Sequence, residues 1–516
     1  MSALPARPRV LVGAVSLILL TGCGTTVPLS LQQRGATGDS GGLAAAPQAT
    51  PGTSSGPASA GQGRNVSIGG PAGHTVGAAI PGATTADGSV PAVPAVPGRV
   101  RGVTASTITI GFSYATNTQA AYATLGASSA TNGDERTEVK VLVDAINKRG
   151  GIDGRRLVVN YHGIDATKTA GTPSAQQGQA ECTYWTQDQT VFAVVGTSPQ
   201  AELAKACLNH SGVPYLSSYF LFSNDDQLGH RLVFEVGALA FDRYAKAVVG
   251  ALSDGGWYGK WDPAQGSPGI APVKTGILYA GDATIDHVIK TVMIPGLREA
   301  GHAPDPVDVI KVDAGTDMGA SAVQAAVLKL RADNVTHLVI PDEGAYLTIF
   351  FAGPANAQRY YPRLGGGSGN GFQYLFQTGV VQQASIRGAV GAGWSPIIDL
   401  PYSSNNPPPQ VTSAFRSCMA VFRSAGQTFT DANATATAAG HCDELAVLDA
   451  ALAHLPNPTV ATFVSAIEGL GTSVQTAQQT RFLFGAGRHS PVAGYYTLVY
   501  DERAQAMAYR GPLHGV

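Results

Sequence analysis

The sequence carries no cluster of basic residues, and its formal net charge is -2, with 33 Lys and Arg against 35 Asp and Glu. Binding to nucleic acid or to an anionic membrane surface depends on concentrated positive charge. We therefore expect neither nucleic acid nor an anionic lipid surface among the partners of this chain.

Motifs that signal catalysis are also missing. There is no Walker A sequence, so the chain is not itself a transport ATPase, and there is no H-E-x-x-H or S-x-x-K motif of a hydrolase. The glycine-rich run at 365–371 misses G-x-S-x-G because Asn370 replaces the last glycine. We predict a protein that is not an enzyme, with no catalytic residue, no metal and no cofactor.

Apolar runs long enough to suggest membrane contact occur only at the start of the chain. Arg7 and Arg9 precede an apolar run from Val10 to Leu20, which is too short to span a bilayer with ordinary flanks. The sequence Leu-Thr-Gly-Cys that ends at Cys23 resembles a bacterial lipobox. We predict a lipoprotein signal peptide over 1–23 and a lipid on Cys23 that anchors the chain to the outer face of the cell membrane. The alternatives are an ordinary secretory signal that is cut elsewhere, or a free thiol at Cys23.

Residues 24–98 contain no aromatic residue and consist mainly of Gly, Ala, Pro, Ser and Thr. Such a composition cannot bury enough apolar surface to offset the entropy of ordering the chain. We predict a disordered tether over 24–102, flexible in its Gly/Ser part and stiffer in its Pro-rich end.

The stretch 132–165 contains a helix, its stop signal and a strand. Gly150 and Gly151 allow the chain to leave a helix through positive φ, and the run from Arg156 to His162 is typical of a buried strand that ends near Asp165. This order predicts half of a doubly wound α/β unit. One apolar stripe along the helix is formed by Val139, Leu142, Val143 and Ile146.

The run VLVDAINKRGGIDGRRLVV at 141–159 resembles the first helix and second strand of the type I periplasmic binding proteins, in particular the branched-chain amino-acid (leucine/isoleucine/valine) binding family of ABC-transporter lipoproteins. The resemblance continues through modest motifs in the family's order over about 105–510. It implies an α/β fold of two doubly wound, Rossmann-like lobes joined by a hinge. The lobes are predicted at 103–238 plus 398–470 and at 239–397 plus 471–516.

Polar residues follow three predicted strands of the first lobe. Thr107 to Ile110 is predicted as a strand before a long polar loop over 111–133, and the runs 191–195 and 213–217 are predicted as further strands. In an open α/β sheet, ligands bind outside the carboxyl ends of strands, and the helix start after Gly196 is a natural place for an anionic oxygen. A helix cap alone is the alternative there. The predicted ligand-binding residues of this lobe are Tyr114, Thr197, Ser198, Ser218 and Tyr219.

The second lobe offers fewer candidates. Asp282 and Thr284 follow the strand predicted at 274–279, and Asp342 and Glu343 follow the one at 336–340. We predict ligand contacts from Asp282, Thr284 and Glu343, with Glu343 receiving an ammonium or amide, because a buried unpaired cation is costly. Helix capping is the alternative for the two carboxylates after the second strand.

Four cysteines follow Cys23, an even number in an exported chain, so disulfides are expected. Three pairings are possible. We favour Cys182 with Cys207 and Cys418 with Cys442, because each pair would join neighbouring helices across a loop of roughly 25 residues. A metal site is the weaker alternative, since the sequence has no C-x-x-C spacing.

The resemblance implies an extracytoplasmic solute-binding lipoprotein that captures a small polar ligand, such as an amino acid or an amide, and delivers it to the permease of an ABC importer. We expect it to act as a monomer. Departures from the family's pattern, such as Glu235 where arginine is common, weaken the case for a leucine-like ligand. A ligand sensor or scaffold with the same fold is one alternative, and an extracytoplasmic enzyme that turns over a cleft ligand is another.

Overall fold

The computed structural model describes residues 100–124, 128–169, 172–219, 232–281, 283–312, 320–342 and 344–516. Its first sheet has five parallel strands in the order β2-β1-β3-β4-β5. The strands are β1 (Thr107–Thr116), β2 (Arg156–Asp165), β3 (Val194–Gly196), β4 (Tyr215–Ser217) and β5 (Val233–Glu235).

The second sheet has seven strands in the order β14-β13-β12-β11-β10-β8-β9, of which β13 and β14 are antiparallel to their neighbours and the rest are parallel. A short antiparallel pair stands apart as β6 (Trp261–Asp262) and β7 (Ser267–Pro268). The strands of the large sheet are β8 (Thr275–Ala280), β9 (Val309–Val312), β10 (His337–Val339), β11 (Arg363–Gly367), β12 (Val390–Gly393), β13 (Gly494–Asp501) and β14 (Ala506–Gly515).

Helices connect the parallel strands, as strand–helix alternation requires, and this confirms the predicted α/β class. They are α1 (Thr118–Thr124), α2 (Glu135–Lys148), α3 (Ser174–Thr183), α4 (Pro199–His210), α5 (Phe241–Asp254), α6 (Ala283–Val288), α7 (Ile294–Glu299), α8 (Ala320–Ala332), α9 (Tyr346–Ala357), α10 (Phe372–Gln377), α11 (Gln383–Ile386), α12 (Pro396–Asp399), α13 (Ser413–Ser424), α14 (Ala432–Leu452) and α15 (Val460–Glu468).

The unit from α2 to β2 follows the sequence prediction closely. The predicted apolar stripe of α2 is buried, and Arg149 caps the helix. Gly150 and Gly151 then take φ values of 108° and 76°. These angles are open to glycine but costly for other residues. The double glycine therefore ends the helix and turns the chain into β2, which pairs with β1 over its whole length.

Two predicted boundaries are wrong. The polar loop expected over 111–133 is shorter, because β1 continues to Thr116 and is followed by α1. The sequence also predicts a helix over 442–455 that begins at Cys442, but the helix begins at Ala432. Its first turns are rich in alanine and threonine and lack the alternation of apolar and charged residues from which a helix is usually predicted.

Helix α14 is central to the architecture, because it follows β12 of the second sheet in sequence but packs on α2 and contacts β3 of the first sheet. Helix α13 also packs on α2, while α5 packs on β11, β12 and β13. Each sheet is thus covered by helices from distant parts of the chain.

The structure contains both disulfides in the pairing favoured from the sequence. Cys182 bonds to Cys207 between α3 and α4, with 6.0 Å between their Cα atoms. Cys418 bonds to Cys442 between α13 and α14, with a Cα separation of 6.1 Å. Throughout the described part of the chain, no helix combines the length and apolar character needed to cross a bilayer.

Candidate functional site

Two adjoining cavities lie between the carboxyl ends of the strands of the two sheets, and Tyr122, Gly344 and Asn433 line both. The first, here called the polar cavity, has an empty volume of about 460 Å³. Its other lining residues are Asn132, Thr197, Ser218, Tyr219, Ala436, Thr437 and Gln478. The second, here called the apolar cavity, has about 440 Å³. Its other lining residues are Ala130, Ala345, Ile349, Ser368, Gly369, Gly371, Tyr374, Leu375 and Ile398.

Three of the predicted ligand-binding residues meet in the polar cavity. Thr197 follows β3, and Ser218 and Tyr219 follow β4. Parallel strands bring their carboxyl ends to the same edge of a sheet, which is why residues far apart in sequence converge here. Thr197 and Ser218 are 6% and 2% exposed, so their contact with solvent is restricted to the cavity wall.

Three other predicted residues line neither cavity. Tyr114 lies on β1, buried and stacked on Phe112 with 5.2 Å between ring centroids. Ser198 is 0% exposed, and Thr284 lies in α6 after β8. The second sheet contributes to the cavities through the loops after β10 and β11 instead of the loop after β8. Asp282, Glu343 and Cys23 lie outside the described residues.

Sequence reasoning missed the part of the site that comes from α14. Asn433, Ala436 and Thr437 belong to the first turns of this helix, which the sequence did not reveal as helical. One signal was available, because Asp431 has the N-cap preference and its side chain accepts a hydrogen bond from the Ala434 N–H at 2.9 Å.

A hydrogen-bond network joins α14 to the chain before α2. Asn433 Nδ2 donates to Asn132 Oδ1 at 2.9 Å and to the Thr131 carbonyl at 3.1 Å. The Tyr122 hydroxyl donates to the same Asn132 oxygen at 3.2 Å. One wall shared by both cavities is therefore fixed by side-chain amides and a phenol.

Buried carboxylates stand directly behind the polar cavity. The Thr197 hydroxyl donates a hydrogen bond to Glu135, which lies in the first turn of α2. The Ser218 N–H donates to Glu444 Oε1 at 2.8 Å. Both carboxylates are almost fully buried, at 2% and 0% exposure. Residues of the cavity wall are therefore hydrogen-bonded directly to carboxylates buried inside the protein.

His441 on α14 lies between these carboxylates. Its Nδ1 is 3.3 Å from Glu444 Oε2, and its Nε2 is 3.5 Å from Glu135 Oε2 and 3.7 Å from Glu138 Oε2. Burial alone would lower the pKa of His441, but hydrogen bonds with Glu135 and Glu444 overcome this and raise it to about 10. Burial raises the pKa of Glu138 to about 8 despite the nearby imidazolium.

Two residues that stood out in the sequence have structural partners. The Asp342 carboxylate accepts the backbone N–H groups of Leu347 and Thr348 at 3.1 and 2.6 Å, which is the helix-capping role given as the alternative. Glu235, placed where the resembling family commonly has arginine, is buried with its Oε1 3.3 Å from Lys205 Nζ. Lys205 thus places a positive charge beside the Glu235 carboxylate.

The two sides of the site come into contact at Gly344. A Cβ atom built on this glycine would lie 2.7 Å from the Tyr219 hydroxyl, and the glycine has a φ of 65°. A side chain at this point would push the loop after β4 away from the loop after β10. Glycine is therefore required where the two sets of strand ends approach each other.

Within the described ranges, no group of three or more His, Cys, Asp or Glu residues is arranged to hold a metal ion. The site consists of a polar cavity backed by buried charges and an apolar cavity beside it. This arrangement can bind a small molecule that has one polar end and one apolar end.

The described architecture is that of a type I periplasmic binding protein. Its fold is similar to a fatty-acid ABC-transporter substrate-binding protein from Thermomonospora curvata, with a TM-score of 0.54 and 17% identity over 81% of this chain and 95% of that one. It is also similar to a possible leucine/isoleucine/valine-binding protein from Rhodopirellula baltica, with a TM-score of 0.53 and 13% identity over 79% and 97% of the two chains.

A third similar structure is the branched-chain amino-acid transporter substrate-binding protein LivJ from Streptococcus pneumoniae in complex with isoleucine. Its TM-score is 0.51 and its identity is 18%, over 80% of this chain and 99% of that one. The sequence matches no protein-family model and no curated protein.

Proposed function

We propose that this chain is a solute-binding protein of an ABC importer, which captures a small molecule between its two sheets and presents it to a membrane permease. The observation that carries the proposal is the pair of adjoining cavities lined from the strand ends of both sheets. The similar structures, titled as transporter substrate-binding proteins, support it.

The proposed mechanism is closure around the ligand. We assign one lobe to 103–238 plus 398–470 and the other to 239–397 plus 471–516. A ligand that contacts both lobes only when they are closed shifts the equilibrium toward the closed form by its differential binding free energy. The contact between Tyr219 and Gly344 is where the closed lobes would meet.

The proposed ligand combines a small polar group with an apolar body. Ile349, Leu375 and Ile398 line the apolar cavity and would hold the apolar body. The chain is proposed to act as a monomer without catalysis. A lipid on Cys23 is proposed to anchor it to the outer face of the cell membrane.

Differential scanning fluorimetry of the purified full-length chain tests this function, with a panel of amino acids, amides, polyamines and small carboxylates. A ligand at 100 times its Kd is expected to stabilise the folded protein by about 2.7 kcal/mol, which raises Tm by several degrees. Mass spectrometry of small molecules that copurify with the chain provides a second readout. If no compound raises Tm and none copurifies, the proposed function is wrong.

A further inference from the structure

Three hydrogen-bond donors on the first-sheet side of the polar cavity are occupied within the protein. The Ser218 N–H donates to Glu444 at 2.8 Å, and the Tyr219 N–H donates to the Ser217 hydroxyl oxygen at 3.2 Å. The Thr197 hydroxyl donates to Glu135. These are the strand-end donors that would otherwise bind an anionic oxygen.

The amide donors of Asn433, on the wall formed by α14, are occupied as well. Both N–H bonds of the Asn433 amide are used, one by Asn132 Oδ1 and the other by the Thr131 carbonyl. The Tyr122 hydroxyl also donates to Asn132. What these two side chains still offer are acceptor atoms, namely the Asn433 carbonyl oxygen and the Tyr122 phenol oxygen.

The charge behind this wall is negative. Glu135, Glu138 and Glu444 surround the single imidazole of His441, and all four residues are 0–2% exposed. The cluster thus sets three carboxyl groups against one imidazole. Neither Lys nor Arg lines the polar cavity among the described residues. A carboxylate placed in the cavity would meet like charge at short range in a poorly hydrated site.

One polar atom of the wall still lacks a partner. The Ser218 hydroxyl oxygen is buried and makes no hydrogen bond within the described part of the chain, although the residue lines the polar cavity. A buried hydroxyl without a partner is costly. Gly440 leaves room for it, since a Cβ on that glycine would lie 2.4 Å from the hydroxyl oxygen. The hydroxyl therefore keeps both its donor and its acceptor capacity unused.

We infer that the polar group of the ligand is a hydrogen-bond donor without negative charge, such as a carboxamide or an ammonium, and that the polar cavity discriminates against a carboxylate. The inference rests on the proposed solute-binding function and specifies the chemistry of the same site. It separates this chain from LivJ, whose structure holds isoleucine, a ligand with a carboxylate group.

The test is calorimetric titration of the purified full-length chain with two sets of compounds. Isovaleramide, isoamylamine and isovalerate share one carbon skeleton, and leucinamide and leucine share another. We expect the amide or the amine to bind at least tenfold more tightly than isovalerate, and leucinamide at least tenfold more tightly than leucine. The first three compounds also distinguish an amide preference from an ammonium preference. Equal affinities, or tighter binding of the carboxylates, would overturn the inference.

Glu444→Gln removes the negative charge and keeps an oxygen that can accept the Ser218 N–H. In this variant the disadvantage of isovalerate relative to isovaleramide is expected to shrink by about tenfold. Glu468→Gln is the matched control, because Glu468 also pairs with a histidine, with its Oε1 3.0 Å from His489 Nε2, but lines neither cavity. An unchanged preference in Glu444→Gln contradicts the assigned role of the buried charge. If this variant does not fold, the wild-type series still decides the inference.

Failure of the inference can be told apart from failure of the proposed function. If none of the five compounds binds, the copurified ligand or the strongest compound of the fluorimetry panel takes their place. A carboxylate found there as the ligand's only polar group would refute the inference and leave solute binding intact. Absence of any bound or stabilising compound would refute both.

Discussion

At the scale of single residues, the site depends on side chains that line the cavities but make their hydrogen bonds to other residues of the protein. Asn433 illustrates this, because its amide holds the chain at Thr131 and Asn132 and also lines both cavities. Gly344 illustrates the opposite requirement, since its function is to have no side chain where Tyr219 approaches. Both residues therefore affect ligand binding through the shape of the cavities.

Asn433→Ala is expected to weaken ligand binding by about fivefold, because a lost hydrogen bond costs about 1 kcal/mol and the wall shared by both cavities is loosened. Titration calorimetry with the ligand found by fluorimetry measures the change. Asn405→Ala, in an exposed loop, is the matched control and should bind as the wild type does. Equal Kd values for the two variants would contradict the role given to Asn433.

Gly344→Ala is expected to hinder closure, since the new methyl group would lie 2.7 Å from the Tyr219 hydroxyl. We expect at least a tenfold loss of ligand affinity. Gly301→Ala controls for backbone strain, because Gly301 has a φ of 79° and nothing within 4 Å of an added Cβ. Both variants should lose about 1 kcal/mol of stability from positive φ. Only Gly344→Ala should lose affinity in calorimetry, and a similar loss in both would refute the steric explanation.

At the scale of elements, α14 shows where sequence-based prediction succeeds and where it does not. The helix α2 and its end near Arg149 are predicted from the sequence, because an apolar stripe and a double glycine mark them. The first turns of α14 carry small residues on all sides, so they have no stripe that marks a buried face. The same small residues place Asn433 and Ala436 close to the cavity, which is why this wall of the site could not be predicted.

The cap of α14 can be tested by Asp431→Ala. The Asp431 side chain accepts the Ala434 N–H at 2.9 Å, and loss of such an N-cap costs about 1 kcal/mol. Urea denaturation monitored by circular dichroism should show this decrease in the free energy of unfolding. Asp431→Asn retains a capping oxygen and should stay within a few tenths of a kcal/mol of the wild type. Equal losses in both variants would show that the cap is not the cause.

The disulfide between α13 and α14 closes a loop of 24 residues. Replacing both Cys418 and Cys442 with Ala is expected to destabilise the protein by about 3 kcal/mol through the added freedom of the unfolded chain. The variant lacking Cys182 and Cys207 should lose a similar amount, because its loop of 25 residues has almost the same length. Urea midpoints measure both. A much larger loss for one pair would show that native packing, and not loop entropy, dominates there.

At the scale of the whole molecule, the order of strands and helices was predictable, whereas the partners of buried polar groups were not. Strand ends fix which residues meet, so Thr197, Ser218 and Tyr219 could be placed together from the sequence. The pairing of His441 with Glu135 and Glu138 joins positions about 300 residues apart in the chain, and no local pattern reveals it. Long-range contacts of this kind decide what the cavity can bind.

Buried ionisable groups predict that the whole protein is less stable in mild alkali than in mild acid. Burial raises the pKa of Glu138 from 4.5 to about 8, and that of Asp399 and of Asp443 from 3.8 to about 7. A carboxyl group whose pKa is raised by folding lowers the stability as pH rises from its unfolded to its folded value. For His441, the stabilisation is present below 6.5 and is lost as pH rises to about 10. All these contributions have the same sign.

Fluorimetry between pH 5 and 9 should therefore show Tm decreasing as pH rises. Glu138→Gln resembles the protonated carboxyl group and should make the decrease smaller between pH 6 and 9. The Glu468→Gln protein serves as the control at a site whose carboxylate is less buried. A Tm that rises across this range would contradict the assignment of these buried groups.

The second sheet has a consequence for how the protein is made. Its strand β12 pairs with β13, but the residues between them, 394–493, include helices that cover the first sheet. A nascent chain that has not yet emerged beyond about residue 493 leaves one edge of β12 without its partner, and open strand edges attract other chains. Newly made protein therefore needs protection from aggregation until its last strands have been synthesised, because the second sheet cannot be finished before them.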